Sequence, residues 1–144
     1  DALKVADYNK KYNNADYIKL IKSDMFSSSE CEQYKNEDNR FDVIVSNPPY
    51  IPTKDIDELS EEVRLHDPVL ALDGDTDGLK FYKAITKHSV NYLKENGYLC
   101  YEIGYNQAED VRNIMEQCGY SGIKVIKDLA GLDRVVIGRL NNIN

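Results

Sequence analysis

Asn47-Pro48-Pro49-Tyr50 brings a carboxamide, an unpaired carbonyl and an aromatic ring together within four residues. Asn47 carries one acceptor oxygen and two donor hydrogens. Pro48 adds a backbone carbonyl and has no N–H. The Asn47 side-chain oxygen and the Pro48 carbonyl can together accept both hydrogens of a planar –NH2 group. An amide or a ring-attached amine is a poor nucleophile because its lone pair is delocalised into the π system. Two fixed acceptors hold its plane, favour negative charge on nitrogen and support pyramidalisation as a new bond forms. The gain comes from orientation and electrostatics. Tyr50 offers a ring face that can cover a flat substrate or meet a cation. No dedicated general base stands out, and neither His66 nor His88 pairs with a nucleophile motif.

The element before the motif must position it. Val43, Ile44 and Val45 form a short β-branched run, which predicts a strand over Phe41–Ser46 buried on both faces of a parallel sheet. Pro48 and Pro49 then end it abruptly. In open α/β sheets, ligands bind at the carboxyl ends of strands. Asn-Pro also marks ordinary turns, but the apolar strand directly before it favours a site over a plain turn.

At 144 residues the chain is one domain or part of one, and 42% hydrophobic residues suffice for a core. The formal charge of −7 argues against a broad nucleic-acid surface, though not against a small local one. Cys31, Cys100 and Cys118 are scattered and odd in number, which gives no disulfide framework or metal spacing and suits a reducing cytoplasm. No signal peptide or membrane-spanning run is visible.

In chain order, Ala2 to about Tyr12 reads as a helix and Tyr17–Ser23 as a strand. A polar loop follows over 27–40, with a helical turn near Glu30–Tyr34. After the Phe41–Ser46 strand, the connection from Ile51 to Gly78 is long enough to be functional or mobile. Within it, Asp55–Leu65 suits a short helix ended by Asp67-Pro68. Leu79–Glu95 reads as a helix stopped by Asn96-Gly97. Tyr98–Ile103 is a strand and Asn106–Cys118 a helix. Ile123–Lys127 and Arg134–Leu140 form a hairpin, and the tail 141–144 is expected to fray. This order is α/β, with the last two strands antiparallel.

Asn-Pro-Pro-Tyr is similar to the motif of S-adenosylmethionine-dependent amino-group methyltransferases. The flanks narrow the resemblance. Phe41–Ile51, Glu62-Val63-Arg64, Asp67-Pro68, Ala71-Leu72 and Asp77-Gly78-Leu79 resemble the enzymes that methylate a glutamine side chain of peptide chain release factors. Glu102-Ile103-Gly104 with Gln107-Ala108, and Asp128–Arg134, extend the likeness over nearly the whole chain. Asp75 stands where that family usually has a second glycine.

The resemblance implies a Rossmann-like class I methyltransferase sheet of order 3-2-1-4-5-7-6. It gives the substrate amide to Asn47 and the Pro48 carbonyl, makes Pro49 and Tyr50 part of the catalytic motif, and packs Tyr50 on the substrate. Asp24 and Met25, with Asn47, fall at cofactor positions, Asp24-Met25 on the adenine side. Without the family, Asp24 is as readily a turn or helix cap. Glu62 and Arg64 would shape the substrate entrance, though alone such a pair is more often a solvated ion pair. The Gly131-Asp133-Arg134 hairpin reads as structural, and Tyr82, Met115 and Cys118 as core.

The family's glycine-rich donor loop and ribose-binding acid have no match in this chain, and Asp1 is not promoted to that acid. The expectation is therefore residues 1–144 as the carboxyl-terminal part of a single methyltransferase catalytic domain, with strands three to seven present and strands one and two absent. Strand four then lies at an open apolar edge that invites pairing with another chain or oligomerisation. Competing readings are a glutamine methyltransferase of a ribosomal protein, an amino-methyltransferase on a nucleic-acid base, and a non-catalytic binding or assembly fragment. The chain alone is expected not to methylate. Isothermal titration with S-adenosylmethionine should accordingly register no micromolar binding, and a micromolar isotherm contradicts the expectation.

Overall fold

The computed structural model describes residues 2–141. Four strands form one sheet: β1 (Phe41–Ser46), β2 (Leu93–Glu102), β3 (Tyr120–Lys127) and β4 (Asp133–Leu140), in the order β1-β2-β4-β3. β1 runs parallel to β2, whereas β4 is antiparallel to both β2 and β3. This is the expected 4-5-7-6 half of the family sheet. The helices are α1 (Ala2–Tyr12), α2 (Glu61–His66), α3 (Val69–Leu72), α4 (Lys80–Ser89) and α5 (Ala108–Gln117), with 3-10 turns over Ser29–Lys35, Glu37–Asn39 and Thr53–Glu58.

The core lies on one face of the sheet. Successive strand residues alternate faces, so Leu99 and Tyr101 of β2, with Ile103 just after it, are buried beside Val136 and Leu140 of β4. Tyr82 and Ile85 of α4, and Val111 and Met115 of α5, close over them. Each fully buried Leu or Val side chain contributes roughly 1.5–3 kcal/mol by leaving water. Buried hydroxyls are paired: Tyr101 with Thr86 at 2.8 Å, and Tyr120 with Ser89 at 2.7 Å. Burial pushes the Tyr120 hydroxyl up to about 12.

The opposite face carries Val43, Tyr98, Cys100, Ile126 and Ile137 around an open groove of about 620 Å³. β1 is accordingly an edge strand half-buried on one face, at Ile44 and Ser46, with Val45 76% exposed on the other, and the expectation of two-sided burial is corrected. No helix among the described residues is long and apolar enough to cross a membrane.

Three sequence expectations change. Tyr17–Ser23 forms no strand: apart from Ile18 N–H to the Ala15 carbonyl, its backbone has no ladder partner among the described residues. So strand three of the expected set is missing, and alternation alone does not make a strand without a neighbour to pair with. The helix from Leu79 ends at Ser89, and Leu93–Gly97 belongs to β2. There Asn96, with φ 63°, and Gly97 form an irregularity opposite Phe41–Val43. A side chain at Gly97 would come within 3.1 Å of the Asp42 carbonyl. The Asp55–Leu65 helix is split, a 3-10 turn to Glu58 and then α2 from Glu61. Residues 142–144 of the tail, and Asp1, lie outside the described residues.

Replacing Leu99 by Ala should cost about 2–5 kcal/mol in urea unfolding. Val45→Lys, on the open face, should change stability by less than about 0.5 kcal/mol.

Candidate functional site

The motif begins where the ladder stops. Ser46 is the last residue of β1 in register, opposite Tyr101. Asn47 follows, exposed, and Pro48 is buried. Among the described residues, neither the Asn47 side chain nor the Pro48 carbonyl makes a hydrogen bond within the protein, which leaves both oxygens with acceptor capacity. Pro49 and Tyr50 are half-buried and separate two cavities.

The larger cavity, about 930 Å³, has Pro49, Leu70 and Phe81 among its apolar walls and Asp24, Met25 and Lys80 among its others. Four segments separate in sequence meet there. The Asp24-Met25 turn is held in place by its neighbours: Ser27 N–H donates to the Asp24 carbonyl at 3.0 Å, and Phe26 stacks on the buried Tyr92 at 4.5 Å. Met25 has φ 51°, in the left-handed region. The cap alternative for Asp24 fails, because Ser28 caps the following 3-10 turn by accepting from Glu30 N–H. Lys80 lies near enough for the Asp24 charge to help raise its pKa, after the larger effect of its bond to Asp75.

The smaller pocket, about 270 Å³, is lined by Tyr50, Tyr105, Asn106 and Gln107 with the carboxylates of Asp55, Asp77 and Asp110. Glu62 and Arg64 line neither cavity; Arg64 instead donates to the Asp57 carbonyl at 3.4 Å. Among the described residues no cluster of His, Cys, Asp and Glu is placed to hold a metal ion.

The loop behind the motif explains two glycines. Ile51 N–H donates to Leu72 O at 3.0 Å and Gly74 N–H to Ile51 O at 2.8 Å, so 72–74 runs beside the motif like a short extra strand. A Cβ at Gly74 would stand 2.9 Å from the Tyr50 backbone, and one at Gly78 2.4 Å from the Tyr50 carbonyl oxygen. Only glycine permits so close an approach. Asp75, between them, adopts φ 73°, the conformation that the family's usual glycine takes without strain. Its carboxylate stabilises the turn, bonding Lys80 at 2.9 Å and the Thr76 amide at 2.8 Å.

Sequence reasoning noted Gln107 only as part of the family pattern. It is buried, at 6% exposure. Its amide donates to the Tyr50 carbonyl at 3.0 Å and the Gly78 carbonyl at 3.4 Å. Its oxygen accepts from Gly104 N–H at 3.0 Å and lies 3.4 Å from the Tyr82 hydroxyl, whose one proton is shared with the nearer Glu102 carbonyl at 3.1 Å. A glutamine three residues after a glycine at a strand end was the available signal. The Asp128–Arg134 hairpin is wired internally: Asp128 accepts from Ala130 N–H and Leu132 N–H, and Arg134 pairs with Asp128 at 3.0 Å while donating to Ile103 O.

A parallel strand leads into a loop between two cavities, and the last strand of the sheet is antiparallel. A solved structure with that fold, the E. cuniculi Mtq2-Trm112 complex responsible for methylation of the eRF1 termination factor, matches 85% of this chain and 61% of that one. The TM-score is 0.51 and the identity 23%. The chain belongs to the family described as Eco57I restriction-modification methylase, whose profile matches residues 2–114. The sequence resemblance to release factor glutamine methyltransferases also holds. The chain is 41% identical over 138 residues to that of Fusobacterium nucleatum, covering 96% of this chain and 37% of the relative. It is 42% identical over 129 residues to that of Clostridium botulinum, covering 90% and 44%. The chain thus spans less than half the length of these relatives.

The Lys80 bond, with those from Thr76, holds the Asp75 carboxyl down at about 2, from an ordinary 3.8. A depressed carboxylate adds stability above its unfolded pKa and loses it as pH falls through the folded one. The stability difference between the unaltered chain and Asp75→Asn, measured by thermal unfolding, should therefore shrink between about pH 4 and about pH 2.

Proposed function

We propose that residues 1–144 form the acceptor side of a single catalytic domain, in its carboxyl-terminal part, that methylates the side-chain amide nitrogen of a glutamine in a peptide chain release factor in the cytoplasm. The observation that carries this reading is the meeting of Pro49, in the motif that offers the Asn47 and Pro48 oxygens, with the Asp24-Met25 turn on one cavity. The names of the relatives support the substrate class. The open β1 edge is where a further chain would pair.

S-adenosylmethionine fits one end of that cavity. Met25, Pro49, Phe81 and Leu70 give apolar walls for a flat ring, and Asp24 a carboxylate for an amine edge. Bound there, the donor would supply an electrophilic methyl group on a sulfonium. The chain's own residues hold the acceptor. The Asn47 side-chain oxygen and the Pro48 carbonyl take the two amide hydrogens and fix the nitrogen lone pair along the line of attack. An amide nitrogen that took this methyl group would gain positive charge, which the Asn47 and Pro48 oxygens are placed to stabilise. Neither oxygen is basic enough to keep a proton at neutral pH, so the excess proton leaves to water. Tyr50 shields the reacting amide.

A second reading, an amine on a nucleic-acid base as acceptor, draws on the same –NH2 geometry and on the family described as restriction-modification methylase. The charge of −7 weighs against it.

The test uses a chimera in which residues 2–141 replace the matching segment of the Clostridium botulinum relative. It is given labelled donor with either release factor or duplex DNA. Label should appear on a release-factor glutamine and not on DNA, and Asn47→Ala should lower the rate on the order of 100-fold. Label on DNA favours the second reading. Release-factor binding without any transfer identifies a non-catalytic binding segment.

A further inference from the structure

The acceptor loop is fixed at both ends. Upstream, Ser46 is locked into the sheet opposite Tyr101. Downstream, the Tyr50 carbonyl accepts from the Gln107 amide at 3.0 Å. Between these points, Pro48 and Pro49 have their φ angles set by their rings, and every peptide unit is planar. Few rotations remain, so holding the two ends also sets the direction of the Pro48 carbonyl and of the Asn47 Cα–Cβ bond. Among the described residues, Gln107 is the one side chain that hydrogen-bonds the Tyr50 backbone. Glycines at 74 and 78 bring their backbones against Tyr50 and leave no room there for any other side chain.

We propose that Gln107 is a positioning residue of the acceptor site. Its buried carboxamide takes its own orientation from Gly104 N–H and Tyr82, at the end of β2 and on α4, and passes it to the Tyr50 and Gly78 carbonyls, so that the Asn47 and Pro48 oxygens face the substrate amide. This rests on the glutamine-amide reading of the motif.

The chemistry of Gln107 gives a specific test. Gln107→Met keeps the volume but removes both donor and acceptor. Gln107→Glu keeps the acceptor, and donates only when protonated. Burial and the facing carbonyls favour the neutral acid. So do the negative charges of Asp55, Asp77 and Asp110, which line the same pocket, Asp77 being partly offset by Lys83. Tyr82, the other titratable group in contact, stays protonated because burial raises its pKa. A side chain that merely fills space is replaced by Met at every pH, whereas one that orients the Tyr50 carbonyl is replaced only by protonated Glu.

The readouts are amide exchange of Ile51 and Gly74, and the shift of the Asn47 side-chain NMR signal on titration with N-acetyl-glutamine methylamide. Exchange at Leu99 and Val136 reports the core. With the core amides unchanged, Gln107→Met should lose protection at Ile51 and Gly74 and weaken the probe about tenfold. Gln107→Glu should match it at about pH 8 and recover both properties at about pH 5. The proposal is overturned if Gln107→Met leaves loop protection unchanged, or if Gln107→Glu shows the same loop protection at both pH values. If the unaltered chain does not bind the probe, the glutamine-amide reading is wrong, and the exchange series alone decides whether Gln107 sets the loop.

Discussion

One buried carboxamide ties the site to the fold. Gln107 pairs three backbone groups, from the motif loop, the glycine turn before α4 and the end of β2, and shares the Tyr82 hydroxyl of α4 with the Glu102 carbonyl. Three of these contacts are buried and the one to the Tyr50 carbonyl is part-buried, and a buried unpaired donor or acceptor costs about 1–3 kcal/mol. The arrangement is therefore close to all-or-none. If the side chain is removed, several backbone groups lose partners together, and they belong to elements that otherwise touch mainly through glycines. The glycines make sense in this light. Gly74 and Gly78 do not loosen the loop; they let it lie against the Tyr50 backbone, where Gln107 then fastens it.

The sheet is asymmetric. One face is packed by α4 and α5 to near-zero exposure, while the other keeps a shallow apolar groove. β1 belongs to the packed side through Ile44 and to the open side through Val43 and Val45. The acceptor motif thus grows out of a strand with a single neighbour. Its rigidity cannot come from flanking strands on both sides, which is why the two prolines and the Gln107 anchor matter as much as they do.

Much of the architecture was legible in the sequence because it rests on local patterns. β1, α5 and the β3–β4 hairpin follow from apolar periodicity and from turn residues such as Gly119 and Gly131. The failures arose where a local signal had two meanings. Tyr92 and Leu93 sit at helical spacing after Ile85, but both are buried by the sheet, and Asn96-Gly97 serves as a bend within β2 rather than a helix stop. Tyr17–Ser23 alternates like a strand, yet alternation records only which side would be apolar, not whether a partner exists. For the site, the motif residues and the Asp24-Met25 turn could be picked out from residue types and resemblance. Gln107 could be noted only as part of the family pattern; its role depends on three backbone groups and the Tyr82 hydroxyl, which come together only when the chain folds. Asp75 lay between these cases: a departure from a family glycine marked the position, and only its φ of 73° gave the reason.

The strand order bears on how the chain acquires its structure. β4 is the last strand in sequence, yet it lies inside the sheet, between β2 and β3. Until residues 133–140 have left the ribosome, β2 and β3 have no contact through the ladder, and Ile103 lacks the Arg134 carbonyl to which its N–H donates. Synthesis from the amino end therefore produces the motif some ninety residues before the strand that closes the sheet beneath it. During that interval β2 lacks its β4 neighbour and keeps apolar surface open, a feature of nascent species that invites wrong partners. Loss of residues 133–140 would remove the middle of the sheet rather than trim its edge.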